Sequence, residues 1–438
     1  MKKKAALHNL GCKVNAYETE AMGQLLENAG YEIVPFEPGA DVYVINTCTV
    51  TNIADRKSRQ MLHKARKMNP QAIVVATGCY VQTAQEPVED DPAIDIVLGN
   101  NCKKDLIEAI RYFEEMRQPA LPEKIDINKT KEYENFFVPK MQDHTRAHIK
   151  VQDGCNQFCS YCIIPYARGR VRSRAMEDVI KEATALAGNG CREVVLTGIH
   201  LSSYGVDQGT SLLELIRSVH QVEGICRIRL GSLEPGIITE EFAKALGELP
   251  KLCPHFHLSL QSGCTSTLKR MNRRYTAEEF EEKCRILRQV FDRPAITTDV
   301  IAGFPGETEE EFETTYDFLS RIRLYETHIF KYSRRHGTRA ASMPDQVPEQ
   351  VKGQRSDRLI ALGEKNRRLF EQQYAGELTE VLFEEKTVIE GKEYYTGYNK
   401  QYIKLAVPAD GDYENVLIQG RIAKEVAPHL FLLEQEKY

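Results

Sequence analysis

Cys155, Cys159 and Cys162 stand in one short segment, Gly154-Cys155-Asn156-Gln157-Phe158-Cys159-Ser160-Tyr161-Cys162. The spacing C-x3-C-x2-C puts three thiols on a single loop. Three thiolates can hold three irons of a 4Fe-4S cluster and leave the fourth iron open for another ligand. An amine with a neighbouring carboxylate, as at the methionine end of S-adenosylmethionine, would suit that position. The competing chemistry is structural zinc, which normally takes four protein ligands. His144 and His148 are the only nearby candidates for a fourth, and both precede the loop.

Three of the other nine cysteines share a context. Cys12 lies in Leu10-Gly11-Cys12-Lys13, Cys48 in Asn46-Thr47-Cys48-Thr49 and Cys79 in Thr77-Gly78-Cys79-Tyr80. Each follows a short apolar run: Ala5–Leu10, Val42–Asn46 and Ile73–Thr77. A fourth run, Ile96–Leu98, follows them, and Tyr17–Asn28, Asp55–Lys67 and Lys103–Met116 read as helices. This alternation predicts a parallel sheet with crossover helices. Reactive groups in such sheets gather outside the carboxyl ends of the strands. Cys12, Cys48 and Cys79 should therefore converge despite their separation in the chain. A lone cysteine is usually a small buried hydrophobe, and Cys191, Cys226 and Cys284 read that way. Cys102 could be a fourth ligand beside Cys12, Cys48 and Cys79, and Cys253 and Cys264 flank one strand.

Residues 117–145, with Pro119, Pro122 and Pro139, read as a linker. Strand–helix alternation then resumes, with strands at Ala147–Val151, Glu193–Thr197, Arg227–Leu230, His255–Leu260, Ala295–Ile301 and Thr327–Phe330. Helices are predicted at Glu177–Ala187, Leu212–Val222, Ala277–Val290 and Glu309–Ile322, and a basic one at Pro348–Gln373. Six such units predict a barrel or partial barrel. After it, five short strands with Gly, Asp and Pro turns fit a small all-β barrel. The fold class is thus α/β with three parts: an N-terminal parallel sheet (1–116), a central partial barrel with its following helix (146–374), and a C-terminal β-barrel (375–438).

Composition narrows the function. The net charge of −5 over 438 residues excludes a uniformly basic nucleic-acid coat. Twelve cysteines fall far below the density of a disulfide scaffold. No apolar run is long enough to span a bilayer, so a cytoplasmic protein without a membrane partner is expected. Charge is uneven, however: Lys150–Arg174 carries +4, Lys331–Glu371 +5 and Gly376–Tyr438 −5. Arg168, Arg170, Arg172 and Arg174 adjoin the cysteine loop and are candidates for phosphate contact. An exposed basic face is the plainer reading of such a run. In the acidic C-terminal part, RNA contact would fall to Lys400, Lys404 and Tyr394, Tyr395, Tyr398 and Tyr402, unless these tyrosines pack in the core.

The C-x3-C-x2-C loop with Tyr161 before its last cysteine resembles the signature of the radical S-adenosylmethionine superfamily. The resemblance implies the partial (β/α)6 form of barrel for the central part. In that superfamily a reduced cluster cleaves S-adenosylmethionine to a 5′-deoxyadenosyl radical, which abstracts a hydrogen from an unactivated carbon. The contexts of Cys12, Cys48 and Cys79 resemble the N-terminal domain of methylthiotransferases, and the C-terminal barrel resembles the RNA-binding TRAM domain. The resemblance implies a second 4Fe-4S cluster at Cys12, Cys48 and Cys79 that carries the transferred sulfur. It also implies a one-electron donor such as flavodoxin or ferredoxin, and a sulfur donor. Three branches exist, acting on isopentenyladenosine in tRNA, on threonylcarbamoyladenosine in tRNA, or on a ribosomal-protein aspartate. Gly11-Cys12-Lys13-Val14-Asn15, Leu196-Thr197-Gly198-Ile199-His200-Leu201, Leu230-Gly231-Ser232-Leu233-Glu234-Pro235 and His257-Leu258-Ser259-Leu260-Gln261-Ser262-Gly263 resemble the threonylcarbamoyladenosine branch. The expected substrate is then tRNA carrying N6-threonylcarbamoyladenosine 3′ of the anticodon, methylthiolated at C2.

For S-adenosylmethionine the resemblance points to Thr197 and Gly198, where the superfamily has Gly-Gly-Glu, and the glutamate is absent. Ser259 and Gln261 should face the same mouth. Gly303, with Pro305 and Gly306, would let the backbone approach the adenine, or simply make a strand–helix turn. His200 and His257 could serve as bases or as hydrogen-bonded structural residues. A catalytically silent, zinc-stabilised RNA-binding protein is the expectation of a different class.

Overall fold

The structure is a computed structural model that describes residues 2–84, 86–116, 118, 125–140 and 145–435. Pro119, Pro122 and His144 lie outside the described residues.

The N-terminal sheet contains β1 (Lys4–Asn9), β2 (Glu32–Ile33), β3 (Val42–Thr47), β4 (Ile73–Gly78) and β5 (Ile96–Leu98), ordered β2-β1-β3-β4-β5 and parallel throughout. Every residue of β3 and β4 is buried, as expected for a parallel sheet covered on both faces. Alternate residues feed two cores. Val42, Val44 and Val75 pack with Met22 and Leu26 of α1 (Lys13–Asn28), whereas Tyr43, Ile45, Val74 and Ala76 pack with Leu62 and Ala65 of α2 (Asn52–Met68). The register pairs Asn9 with Asn46 and Thr47 with Gly78. The carboxyl ends of β1, β3 and β4 therefore finish level, and Cys12, Cys48 and Cys79 leave the sheet on one edge. Cys79 opens the short helix α3 (Cys79–Thr83), and α4 (Leu106–Met116) completes this part.

The central part has β6 (Arg146–Asp153), β7 (Arg172–Ser173), β8 (Glu193–Gly198), β9 (Arg227–Leu230), β10 (His255–His257), β11 (Ala295–Ala302) and β12 (Glu326–Lys331). They form the orders β7-β6-β8-β9 and β10-β11-β12. The two sheets join where Leu233 N–H donates to the His257 carbonyl (2.8 Å) and Ser259 N–H to the Leu233 carbonyl (3.0 Å). Apart from the edge strand β7, this is the expected six-stranded parallel arc. Val194, Leu196, Ile228, Leu230, Phe256, Ile296 and Val300 pack outward in the core. The alternate residues face inward. They include Arg146, Glu193, Thr197, Arg229, His255, His257, Thr297 and Asp299, so the barrel lumen is polar.

Four short helices escaped the sequence reading: α3 and, in the central part, α5 (Ile164–Arg168), α6 (Glu240–Gly247) and α7 (Thr265–Arg270). Pieces this short show too little periodicity to read. β10 ends at His257, shorter than expected, and Gln261 beyond it is left-handed at φ 71°. The segment still follows β11, through Leu258 N–H to the Thr297 carbonyl and Gln261 N–H to the Asp299 carbonyl.

Residues 125–140 pack between the first two parts. Phe136 and Val138 are buried against Tyr17 and Ala21 of α1, and the Val138 N–H donates to Glu182.

The C-terminal strands β13 (Leu378–Ile389), β14 (Lys392–Asn399), β15 (Lys404–Pro408), β16 (Leu417–Ala427) and β17 (Leu430–Gln435) close into a barrel. It plugs the lower end of the central barrel. Arg227 donates to the Tyr398 carbonyl (2.9 Å) and Arg229 to the Asn399 and Lys400 carbonyls. Tyr398 and Tyr402 stack at 4.4 Å, with the Arg146 guanidinium 4.9 and 5.1 Å from their centroids, and His255 packs on Tyr402. Tyr395 is buried in the barrel core. Tyr398 and Tyr402 hold the parts together and Tyr395 fills the barrel core, so the reading of these three as an RNA face is corrected.

Candidate functional site

The Cys155–Cys162 loop leaves β6 through Gly154, whose φ is 72° and where an added Cβ would stand 1.9 Å from the Arg170 carbonyl oxygen. Only glycine fits there. Cys155 N–H donates to the Gly169 carbonyl, Ser160 N–H to the Met271 carbonyl, and the Ser160 carbonyl accepts from Ala340 N–H. Asn272 holds the Phe158 carbonyl, where the backbone is left-handed at φ 51°. Three separate segments thus fix the loop. We expect Gly154→Ala to lose about half the bound iron in anaerobic iron analysis, while the rest of the chain stays folded by circular dichroism.

One side chain missing from the sequence reading dominates this site. Arg273 donates to Cys159 Sγ (3.2 Å), to Glu234 (2.8 Å) and to the Tyr275 hydroxyl (2.8 Å). Burial would raise the Glu234 carboxyl, but His200 and Arg273 outweigh it and hold the group below its usual range. Glu234 lies in Leu230–Pro235, a segment notable only for its family resemblance, and nothing local marked either residue. Burial pushes the Cys155 thiol up to about 11 and Cys162 to about 12. As metal ligands they would have to shed these protons to the incoming metal.

At the second triad, an added Cβ on Gly11 would stand 2.9 Å from Cys48 Sγ. Cys48 and Cys79 are buried and Cys12 is exposed. Burial, aided by the nearby Cys79 and Cys12, pushes the Cys48 thiol up to about 11. Asn15 ties the strand ends together by donating to the Leu10 and Thr47 carbonyls. Cys79 Sγ accepts from Arg168 Nε at 3.2 Å. Arg168 also binds Asn15 and pairs with Glu18 and Asp153.

Behind it lies a buried ion network. Glu18 is met by Lys103 (3.1 Å) and Lys150 (2.7 Å), and Asp153 by Lys150 (2.6 Å) and Arg172 (3.8 Å). Arg174 pairs with Glu182 (2.8 Å). The expectation that Arg168, Arg172 and Arg174 face phosphate is therefore corrected. All three are 1 % exposed or less, because α1 and residues 125–140 cover them. Arg170 differs, with its guanidinium over Phe158 at 4.5 Å.

Among the described residues, the metal-ligating set whose donor atoms all lie within 4.8 Å is His257, Asp299 and His328. Neither cysteine triad closes that far. One tetrahedral zinc with bonds of about 2.3 Å needs its sulfurs about 3.8 Å apart. A 4Fe-4S cluster spreads three thiolates over separate irons, so the donor sets fit clusters better than zinc.

Thr197 and Gly198 end β8 beside the loop, and a Cβ on Gly198 would stand 2.8 Å from Gln152 Oε1. The Ser259 carbonyl accepts from Arg273, and Gln261 is buried at the same end. At Gly303 (φ 73°) the space for a Cβ is filled by the Lys352 stem at 2.4 Å, which explains the glycine by packing. His200 bonds Ser203, and His257 bonds Thr297 at 3.0 Å. Cys102 lies by Glu134 and Lys103, Cys253 under Arg229, and Cys264 beside Ser266.

The Radical SAM superfamily model matches residues 149–319, and the uncharacterized protein family UPF0004 matches residues 4–99. A protein of Bacillus subtilis (strain 168), "Threonylcarbamoyladenosine tRNA methylthiotransferase MtaB", is 44% identical over 97% of this chain and 94% of its own. Its namesake from Aquifex aeolicus (strain VF5) is 42% identical over 88% and 94%. The chain belongs to this methylthiotransferase family. The family is broader than one substrate, since the "tRNA-2-methylthio-N(6)-dimethylallyladenosine synthase" of Finegoldia magna is 33% identical over 94% of this chain and 90% of its own. Among solved structures, the radical S-adenosylmethionine methyltransferase TsrM from Kitasatospora setae superposes with a TM-score of 0.55 at 18% identity, covering 76% of each chain, which speaks for the fold. No described helix is long and apolar enough to cross a membrane.

Proposed function

We propose that the protein methylthiolates C2 of N6-threonylcarbamoyladenosine 3′ of the anticodon in tRNA. Cys155, Cys159 and Cys162 hold one 4Fe-4S cluster, and Cys12, Cys48 and Cys79 hold a second. The observation that carries this reading is Arg168. It sits in the helix directly after Cys162 and reaches Cys79 Sγ at 3.2 Å, so the two triads share one wall of the barrel mouth.

When bound, the clusters and two molecules of S-adenosylmethionine supply the radical, the sulfur and the methyl group. The chain's residues bind and orient. Three thiolates of the loop leave one iron open for the amine and carboxylate of S-adenosylmethionine. Arg273 gives a charged hydrogen bond to Cys159 and steadies that ligand. Glu234, already ionised, is the carboxylate best placed to take the role of the absent Gly-Gly-Glu glutamate, with Thr197, Gly198, Ser259 and Gln261 around it. The C-terminal barrel seals the lower end, so the base enters from the mouth. A flavodoxin or ferredoxin delivers electrons, and a separate donor replenishes sulfur.

In nucleosides from tRNA of a deletion strain, mass spectrometry should show the methylthio group gone from threonylcarbamoyladenosine and kept on isopentenyladenosine. The reverse result would refute the substrate assignment.

A further inference from the structure

The barrel lumen holds a set of donors that neither cysteine triad uses. His257, Asp299 and His328 stand on the inner faces of β10, β11 and β12, three neighbouring strands. The register sets Asp299 level with His328, and His257 level with Thr297, one inward position lower on β11. The donor atoms of all three lie within 4.8 Å of one another. The two imidazoles stack at 5.8 Å, their planes 19° apart.

The side chains do not satisfy one another. His257 Nε2 is buried and stands 3.3 Å from Asp299 Oδ2, yet it makes no hydrogen bond. Among the described residues, the Asp299 carboxylate has no partner besides His257, and the His328 ring makes no hydrogen bond. Buried polar atoms left in this way are costly. The other nitrogen of His257, Nδ1, is held by the Thr297 hydroxyl at 3.0 Å. With its proton on Nδ1, His257 turns the lone pair of Nε2 towards the carboxylate. Two acceptors facing each other are reconciled by a cation between them.

The distances suit a metal ion. Bonds of about 2.0–2.1 Å to nitrogen and oxygen place two ligands of a tetrahedron about 3.4 Å apart, close to the His257–Asp299 separation. A hydrogen bond on the far ring nitrogen, like that from His257 to Thr297, is what orients a metal-binding imidazole. His328 is exposed, so rotation of its side chain can close the third bond.

We propose that His257, Asp299 and His328 form a mononuclear site for a divalent first-row metal ion, separate from both cysteine triads. Two imidazoles and a carboxylate are a donor set for zinc or iron(II). Three protein ligands leave a position for water or for an oxygen of a molecule in the lumen. The site lies just below the cysteine loop. Ser259, two residues beyond His257, carries the carbonyl that Arg273 meets while it holds Cys159. Two residues of extended chain span about 7 Å.

The test is zinc uptake by full-length protein with its clusters anaerobically reconstituted, washed with a weak chelator and then dialysed against zinc. Wild type should take up about one zinc per chain with its iron content unchanged. X-ray absorption at the zinc edge should show only nitrogen and oxygen ligands, at about 2.0–2.1 Å. Asp299→Asn, which keeps the side-chain shape, and His328→Phe, at an exposed position, should hold no zinc at the same free concentration. Zinc should raise the unfolding temperature of wild type and leave that of His328→Phe unmoved. Wild type that takes up no zinc would overturn the site. So would uptake that survives both substitutions, or sulfur ligands at about 2.3 Å, which would place the ion on cysteines.

Discussion

Anaerobically reconstituted protein should hold about eight irons per chain, and Cys155→Ala, Cys159→Ala and Cys162→Ala together should leave about four. The triple variant should cleave no S-adenosylmethionine under dithionite, since the loop is the site that leaves an iron for it. The mirror variant, Cys12→Ala with Cys48→Ala and Cys79→Ala, should also hold about four. It should still form 5′-deoxyadenosine, yet transfer no sulfur. The loss is expected to be complete rather than graded, because these thiols act as ligands. Iron analysis and product chromatography read both. A wild type with only four irons, or a loop variant that keeps all eight, would defeat the two-site reading. Colourless protein with stoichiometric zinc would instead support a silent RNA-binding protein.

Glu18→Ala should destabilise the folded chain by about 3–5 kcal/mol, the usual cost of stripping one partner from a buried ion pair. Glu18 is fully buried and faces Arg168, Lys103 and Lys150. Without it Arg168 and Lys150 keep Asp153 as a counter-charge, and Lys103 keeps only the nearby Glu134. Because Glu18 and Lys103 come from the N-terminal part and Lys150, Asp153 and Arg168 from the barrel, the loss should appear as a separation of the two. Thermal unfolding that is one transition in wild type should broaden or split. A shift within that of a surface substitution would show that the network contributes little.

The same network sets a pH dependence. Burial alone would raise both carboxyls. The surrounding cations outweigh it and hold Glu18 and Asp153 well below their usual range. A carboxyl depressed in the folded state contributes stability above its unfolded value. That contribution is lost as pH falls below about 4, towards the depressed folded values. Acid should therefore loosen the contact between the two parts, and in Glu18→Gln thermal unfolding across this pH range should show a smaller sensitivity, with the Asp153 share remaining.

Much of the site was legible one residue at a time. C-x3-C-x2-C is local, and the three scattered cysteines announce themselves because each ends an apolar run, a pattern with a strand-end meaning in parallel sheets. The same reasoning failed for the arginines. Arg168, Arg170, Arg172 and Arg174 look alike as a basic run, yet three turn inward to carboxylates contributed by other segments. Glu234 and Arg273 went unnoticed for the same cause, since their pairing spans 39 residues and leaves no periodic trace. The tyrosines of β14 and the loop after it were ambiguous because stacking on Arg146 and stacking on a base call for the same side chain.

The amino-acid sequence by itself determined the order of the three parts, the six candidate ligands and the family. These rest on local spacing and on strand periodicity, which short windows preserve. Only the tertiary structure decided which charges are free. It buried Arg168 between the triads and paired Arg273 with Cys159. Those outcomes depend on which distant carboxylate reaches which cation first, and a linear chain does not record that competition.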